Sequence, residues 1–246
     1  MVTDLRTVMW KEWRTLVHQP GGRLRLLLAV SVPILYFGVV GPLQAGARFV
    51  DDADPWFVVV VLPVLAVVVT APDAFAGERE RKTLRTLLAS RLTDRAILWG
   101  KIGFAILLGI GSMLGTLALA LVVVNLSAGD GDLILIAGWR LAHMLGVSVL
   151  LTVVAAGTAV LVSQRSSTVQ QAQQILAAIF FLVPTALGPV ALLLSQEGQA
   201  DAILDVFRWL DTPAGRFGLL AGLAATAVAV LTAARAGFRR PRLVGG

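Results

Sequence analysis

Side-chain chemistry needs reactive groups within reach of one another, and this chain offers few. It has two histidines and no cysteine. His18 closes the first helical stretch and His143 opens the fourth apolar one, so the topology keeps them apart. Without cysteine there is no thiolate nucleophile, thiolate metal site or disulfide. No Ser-His pair, HExxH run or pair of intramembrane carboxylates can be assembled, so neither a catalytic set nor a metal site is expected. Gly100-Lys101 is the one Gly-Lys pair, but a phosphate-binding P-loop also needs a Gly five residues before that Gly and Ser or Thr after the Lys. Arg95 and Ile102 stand there instead. If ATP is used, another chain must bind it. Two polar features stand at span margins. Asp73 either pairs with a nearby cation or serves ion translocation, and no second acid in the apolar runs supports the latter. Arg140 and His143 share a helical face at i and i+3. They either snorkel to the outer surface or contact an anionic substrate or lipid headgroup.

The elements that position these residues are membrane helices. The chain is 57% hydrophobic and 15% charged, against about 25% charged in soluble domains. Apolar runs long enough to cross about 30 Å of hydrocarbon occur at Leu26–Ala47, Trp56–Ala76, Ile102–Leu126, Leu141–Val162, Ile175–Leu194 and Phe217–Ala234. The reading is a single all-α membrane domain over 1–246 with six spans. Ala45-Gly46-Ala47 resembles a signal cleavage site, but the run before it starts late and is longer than a leader's apolar core. Pro63 and Pro72 lie in the second run and are expected to kink it and free a carbonyl. Lys and Arg set the orientation. Five fall in residues 1–25, seven in 77–101, one at Arg165 and four at the C-terminus, out of 21 in all. Both ends are therefore expected in the cytosol, in the cell membrane. The net charge of +6 reflects this sorting and no nucleic-acid motif accompanies it.

Three segments lie outside the spans. Residues 1–23 place Leu5, Val8, Met9, Trp13, Leu16 and Val17 near one helical face, as an amphipathic helix in the cytosolic interface does, before Pro20-Gly21-Gly22 breaks it. Residues 195–216 have a short amphipathic pattern, expected as outer half-helices that stop and restart at Asp211-Thr212-Pro213, or as an ordinary surface helix. Gly111–Gly115 and Gly218–Gly222 are GxxxG pairs that permit close helix packing. The third segment is a charged island, 77–101. Acids at Glu78 and Glu80 open it, Leu84, Leu87 and Leu88 form a stripe, and Ala89-Ser90-Arg91 interrupts. Thr93-Asp94 can cap a second helix running into the third span.

The island resembles that of permease subunits of type 2 ABC transporters, which carry E-R-E-x-G-T-L-E-x-L-L-x-S-P-x-S and then an apolar run ending in G-K. Glu78-Arg79-Glu80, Thr83-Leu84, Leu87-Leu88, Ser90 and Gly100-Lys101 match. Lys82, Arg85 and Arg91 replace the usual Gly, Glu and Pro. The resemblance implies an export permease in which two permease copies, alike or different, pair around a pathway and two ABC ATPase subunits dock beneath. ATP and Mg would be bound by those subunits and no cofactor by this chain. The island would be the coupling helix. Glu78, Glu80, Arg81, Thr83, Leu84 and Leu87 would meet the ATPase, the charges by charge-assisted contacts and the leucines as anchors. The apolar spans suit a hydrophobic or amphipathic cargo. Membrane lipids are the remaining partner. The alternative is a non-transporting assembly or regulatory protein that recruits a cytosolic partner through 77–101.

Overall fold

The structure is a computed structural model that describes residues 2–18, 31–51, 54–129, 131–182, 185, 209–210 and 212–238. Helix α1 is Val2–His18. Helix α2 covers 31–45, with a π-helical turn at Tyr36–Val40 before Gly41–Ala45. The 3-10 turn Gly46–Val50 follows. Helix α3 is Asp54–Thr70, α4 Ala76–Glu80, α5 Leu84–Ala89, α6 Asp94–Ala128, α7 Gly138–Arg165, α8 Val169–Ala177 and α9 Pro213–Gly237. No strand occurs among the described residues.

Among the described residues, four helices are long and apolar enough to cross a membrane: Val58–Glu80, Asp94–Ala128, Gly138–Arg165 and Pro213–Gly237. They coincide with the second, third, fourth and sixth expected spans. The start of the first expected span, most of the fifth beyond 182, the Pro20-Gly21-Gly22 break, and 195–208 and 211 of the outer segment lie outside the described residues. Thr212, expected at the restart, caps α9 by accepting from the Gly215 N–H at 3.1 Å, with Pro213 in the first turn.

Helix α3 packs against α6 and α7, α9 against α7, and α1 against α6. Two buried clusters divide the bundle lengthwise. One joins Val67, Phe75, Ile97, Ile102, Ala159 and Leu176 near the elbow formed by α4 and α5. The other joins Phe49, Val58, Leu62, Met113, Val124 and Met144 near the far end. Within the described residues, Gly111, Gly115 and Gly222 of the GxxxG pairs meet no neighbour, and Gly218 meets the Trp209 ring. Close helix approach within the bundle occurs at Gly109. A Cβ there would stand 2.7 Å from Thr152 Cγ2 and 3.1 Å from the Pro63 carbonyl oxygen.

Candidate functional site

The elbow begins where the second span stops being α-helical. Pro72 has no N–H to continue the ladder, and Ala71–Ala74 tightens to a 3-10 turn. The main-chain groups this displaces are met from another span. Ser163 Oγ accepts from the Phe75 and Ala76 N–H groups, both at 3.0 Å, and donates to the Pro72 carbonyl at 2.7 Å. All of this is buried, where an unpaired backbone group costs about 1–3 kcal/mol. One hydroxyl of α7 therefore fixes the direction in which the chain leaves the bundle. The Pro72 carbonyl, whose helical donor would be the Ala76 N–H, is held by Ser163 instead.

Helix α4 then runs into a sharp turn. Lys82 has φ 58°, in the left-handed region that disfavours residues with a Cβ. This is the position where the type 2 pattern carries Gly, so the backbone keeps the turn although the residue has changed. Thr83 closes the turn, its N–H donating to the Glu78 carbonyl at 2.9 Å. Helix α5 follows and lays Leu84 and Leu87 into the elbow-end core. Ser90 ends it in extended backbone (φ −69°, ψ 164°), the conformation a residue before proline favours. Arg91, at the pattern's Pro position, thus also stands in a backbone made for the missing residue. Thr93 Oγ1 then accepts from the Ala96 N–H at 3.2 Å as the N-cap of α6. With 35 residues, α6 is about 52 Å long, well beyond the roughly 30 Å of hydrocarbon. The second elbow helix and the third span are one rigid rod.

A buried charge cluster joins this rod to α1. Lys101 Nζ is wholly buried and lies 2.5 Å from Glu12 Oε1 and 3.8 Å from Glu78 Oε1. It also stands 5.2 Å above the Phe75 ring. Glu78 is 2% exposed and accepts further hydrogen bonds from Lys11 Nζ and Thr83 Oγ1. The side chains of two lysines and two glutamates thus meet at one point. Gly100 makes this possible, since a Cβ there would fall 2.7 Å from Val8 Cβ. The Gly-Lys pair therefore has two functions. Gly lets α1 lie flush on α6, and Lys anchors both carboxylates. A nucleotide phosphate could not reach this ammonium.

The elbow is also fastened to the loop between α7 and α8. Arg79 donates to the Gln164 carbonyl at 3.0 Å and to the Ser166 carbonyl. Glu80 Oε1 accepts from the Val169 N–H at 2.8 Å. There it adds a carboxylate to the first turn of α8, where negative charge is favoured. Arg81 makes a bidentate pair with Asp73, at 2.9 and 3.0 Å. Partial burial works against the Arg81 charge, yet the Asp73 carboxylate outweighs it and holds the guanidinium pKa above its ordinary value.

The six residues expected to face an ATPase are thus brought together but do not share one surface. Glu80, Arg81 and Thr83 are exposed. Glu78, Leu84 and Leu87 are buried, the first in the charge cluster and the leucines in the core. Arg140 and His143 lie at the far end. Arg140 donates to the Val50 and Asp51 carbonyls at 2.8 and 2.7 Å, and His143 stands edge-on to Trp56 at 5.8 Å between centroids. Lys11, Glu12 and Ser163 were not singled out by sequence reasoning. For Glu12 a signal existed. It follows Val8 by one helical turn on the face that packs, so a carboxylate there demands a buried cation.

A groove of about 870 Å³ opens beside the elbow, between Leu65, Val68 and Val69 of α3 and Gln170, Gln173 and Phe181. Gln173 Nε2 donates across it to the Val69 carbonyl at 2.9 Å. Its wall is apolar on the α3 side and carries amides on the α8 side.

The profile of ABC-2 family transporter proteins matches residues 43–213. The chain belongs to the ABC-2 transporter family. Comparison with curated proteins gives no match. The matched region spans the far-end turn, the elbow, the charge cluster's Glu78 and Lys101, and the groove. This ABC-2 protein is a multi-pass membrane protein and a transport permease. Members of its family are membrane components rather than ATPases, and they generally work with an ABC ATPase partner.

Proposed function

We propose that this permease exports a hydrophobic or amphipathic substrate across the cell membrane, driven by separate ABC ATPase subunits that bind the elbow from the cytosol. In this reading both termini are cytosolic, α1 is the interface helix, and two permease copies with two ATPases make the working unit. ATP and Mg are held by the ATPases. Docking falls to the exposed side of the elbow, at Glu80, Arg81 and Thr83. Glu78, Leu84 and Leu87 act from behind, keeping that surface rigid.

The observation that carries this reading is the buried cluster of Glu12, Glu78 and Lys101, with the half-exposed Lys11 closing it from outside. A push on a flexible loop dissipates in the loop. A push on the elbow reaches α6 through Lys101 and Glu78, α7 through Ser163, and α8 through Glu80. One contact surface is thereby geared to three membrane helices. The lateral groove beside α8 is the place where such a motion would open or close a path for an apolar cargo.

Purification of the permease with its ATPase tests the docking surface. Thr86→Trp adds bulk to the exposed side of α5 without touching a buried partner. It is expected to lower ATPase retention about tenfold or more, a loss of about 1.4 kcal/mol, while the permease elutes unchanged. Full retention together with undiminished substrate-stimulated ATP hydrolysis in proteoliposomes would overturn the assignment.

A further inference from the structure

We infer that the outward face of α1 is a binding surface for anionic phospholipid of the cytosolic leaflet, so that the permease selects the charge of the lipid beside its elbow. This rests on the reading that the chain is a membrane permease with α1 on the cytosolic side.

The inference comes from how α1 sorts its residues. Its packed face carries Val8 and Glu12, the latter neutralised by Lys101. Its exposed positions are Thr3, Arg6, Thr7, Trp10, Trp13 and Arg14. Two are arginines, two are tryptophans and none is acidic. Trp10 and Trp13 are 60% and 45% exposed, and a groove of about 810 Å³ runs past them, lined also by Leu5, Arg6 and Met9. The height of this face follows from α6. Val8 rests on Gly100, one residue before Lys101 and two before the apolar run that starts at Ile102. The α1 axis therefore lies where hydrocarbon gives way to headgroups. Indoles settle at that depth, and guanidinium groups pair bidentately with phosphate. The elbow's exposed surface has mixed sign, with Glu80 beside Arg81, as a protein partner requires. A face of single sign with two indoles and an apolar groove suits a lipid layer instead.

The chain has no cysteine, so a label can be placed at will. Thr7→Cys carries a fluorophore on the α1 face, and Leu114→Cys carries one on the exposed side of α6. Each full-length variant is reconstituted with brominated phosphatidylglycerol or brominated phosphatidylcholine as quencher. At Thr7 the expected preference for phosphatidylglycerol is about five- to thirtyfold, from about fivefold for each basic residue at the surface. Arg6→Gln with Arg14→Gln should abolish it, and Leu114 should be quenched equally by both lipids. Equal quenching at Thr7 by the two lipids overturns charge selection. Quenching at Leu114 with none at Thr7 assigns the face to water or to a protein partner, and overturns the inference while leaving the permease reading intact. No quenching at either label removes the membrane placement, and with it both readings.

Discussion

At the elbow end, a lysine with no exposed side-chain surface sits between two carboxylates. At the far end, Arg140 donates to main-chain carbonyls, those of Val50 and Asp51. Two further far-end ties among the described residues are also light. Arg216 lies 4.4 Å from the Trp139 ring centroid. Asn125 exchanges amide hydrogen bonds of 2.8 and 2.9 Å with Ile134. The difference is one of consequence when a tie is cut. A guanidinium on a carbonyl can be replaced by water at an exposed rim. A buried carboxylate that loses its cation has no such substitute, and removing one partner of a buried pair costs about 3–5 kcal/mol. Bundles that must transmit displacement from one end have reason to place their all-or-none contacts there.

Lys101→Met should break the comparison most severely. It leaves the buried Glu12 without its ammonium, while Glu78 keeps Lys11, and it is expected to destabilise the detergent-solubilised protein by about 4 kcal/mol, read as a fall in unfolding temperature. The triple variant Lys101→Met, Glu12→Gln, Glu78→Gln separates charge from shape. It should recover most of the stability, since the three buried charges are then replaced together, a change that is often neutral, and the half-exposed Lys11 can turn to water. If Lys101→Met alone unfolds no earlier than the parent, the cluster is not the fastening described above.

Ser163→Ala tests the second tie of the same end. It strips the Phe75 and Ala76 N–H groups and the Pro72 carbonyl of their partner in a dry site, for an expected loss of about 3 kcal/mol. Elbow geometry should suffer with stability, so ATPase retention is expected to fall as well. Retention at the parental level in a destabilised protein would mean that Ser163 supports the bundle and not the elbow.

Part of this was legible in the sequence, for physical reasons that differ by element. The spans are visible because hydrocarbon demands length and apolarity, and α6, α7 and α9 enclose the runs at Ile102–Leu126, Leu141–Val162 and Phe217–Ala234. A helix does not stop where hydrocarbon does: Asp94 to Lys101 continues α6 outside the apolar run, from the cap expected at Thr93-Asp94. The Thr93 cap and the leucine stripe were legible because they are local. The cluster was not. Glu12 and Lys101 lie 89 positions apart, and pattern reasoning has no means of pairing distant charges. The resemblance grouped Glu78, Leu84 and Leu87 with Glu80, Arg81 and Thr83 in one docking set, and a motif does not say which of its residues the rest of the protein covers.

At the far end, Arg140→Gln should cost about 1–2 kcal/mol, the scale of hydrogen bonds from a charged donor, reduced by the partial exposure of the site. ATPase retention should not change. A loss of retention comparable to that of Ser163→Ala would erase the distinction between the two ends.

The smallest effect has the opposite sign. Lys82 occupies left-handed backbone at φ 58°, which costs a residue with a Cβ about 1–2 kcal/mol. Its side chain is exposed. Lys82→Gly removes the strain at the native turn but also loosens the unfolded chain, which offsets part of the gain. The net expectation is a stabilisation of about 0.5–1 kcal/mol, seen as a small rise in unfolding temperature. The comparison sharpens here, because the elbow retains a strained turn in the midst of its tightest contacts. The turn stays closed through Thr83 to Glu78, and Glu78 is held by Lys11 and Lys101, so the cluster is what over-determines the Lys82 conformation. Combining Lys82→Gly with Lys101→Met tests that dependence directly. If the cluster enforces the strain, the gain from glycine should shrink once Lys101 is gone, because the turn is then free to relax by itself. A gain that is simply additive would make the strain local to the turn and independent of the charges beneath it.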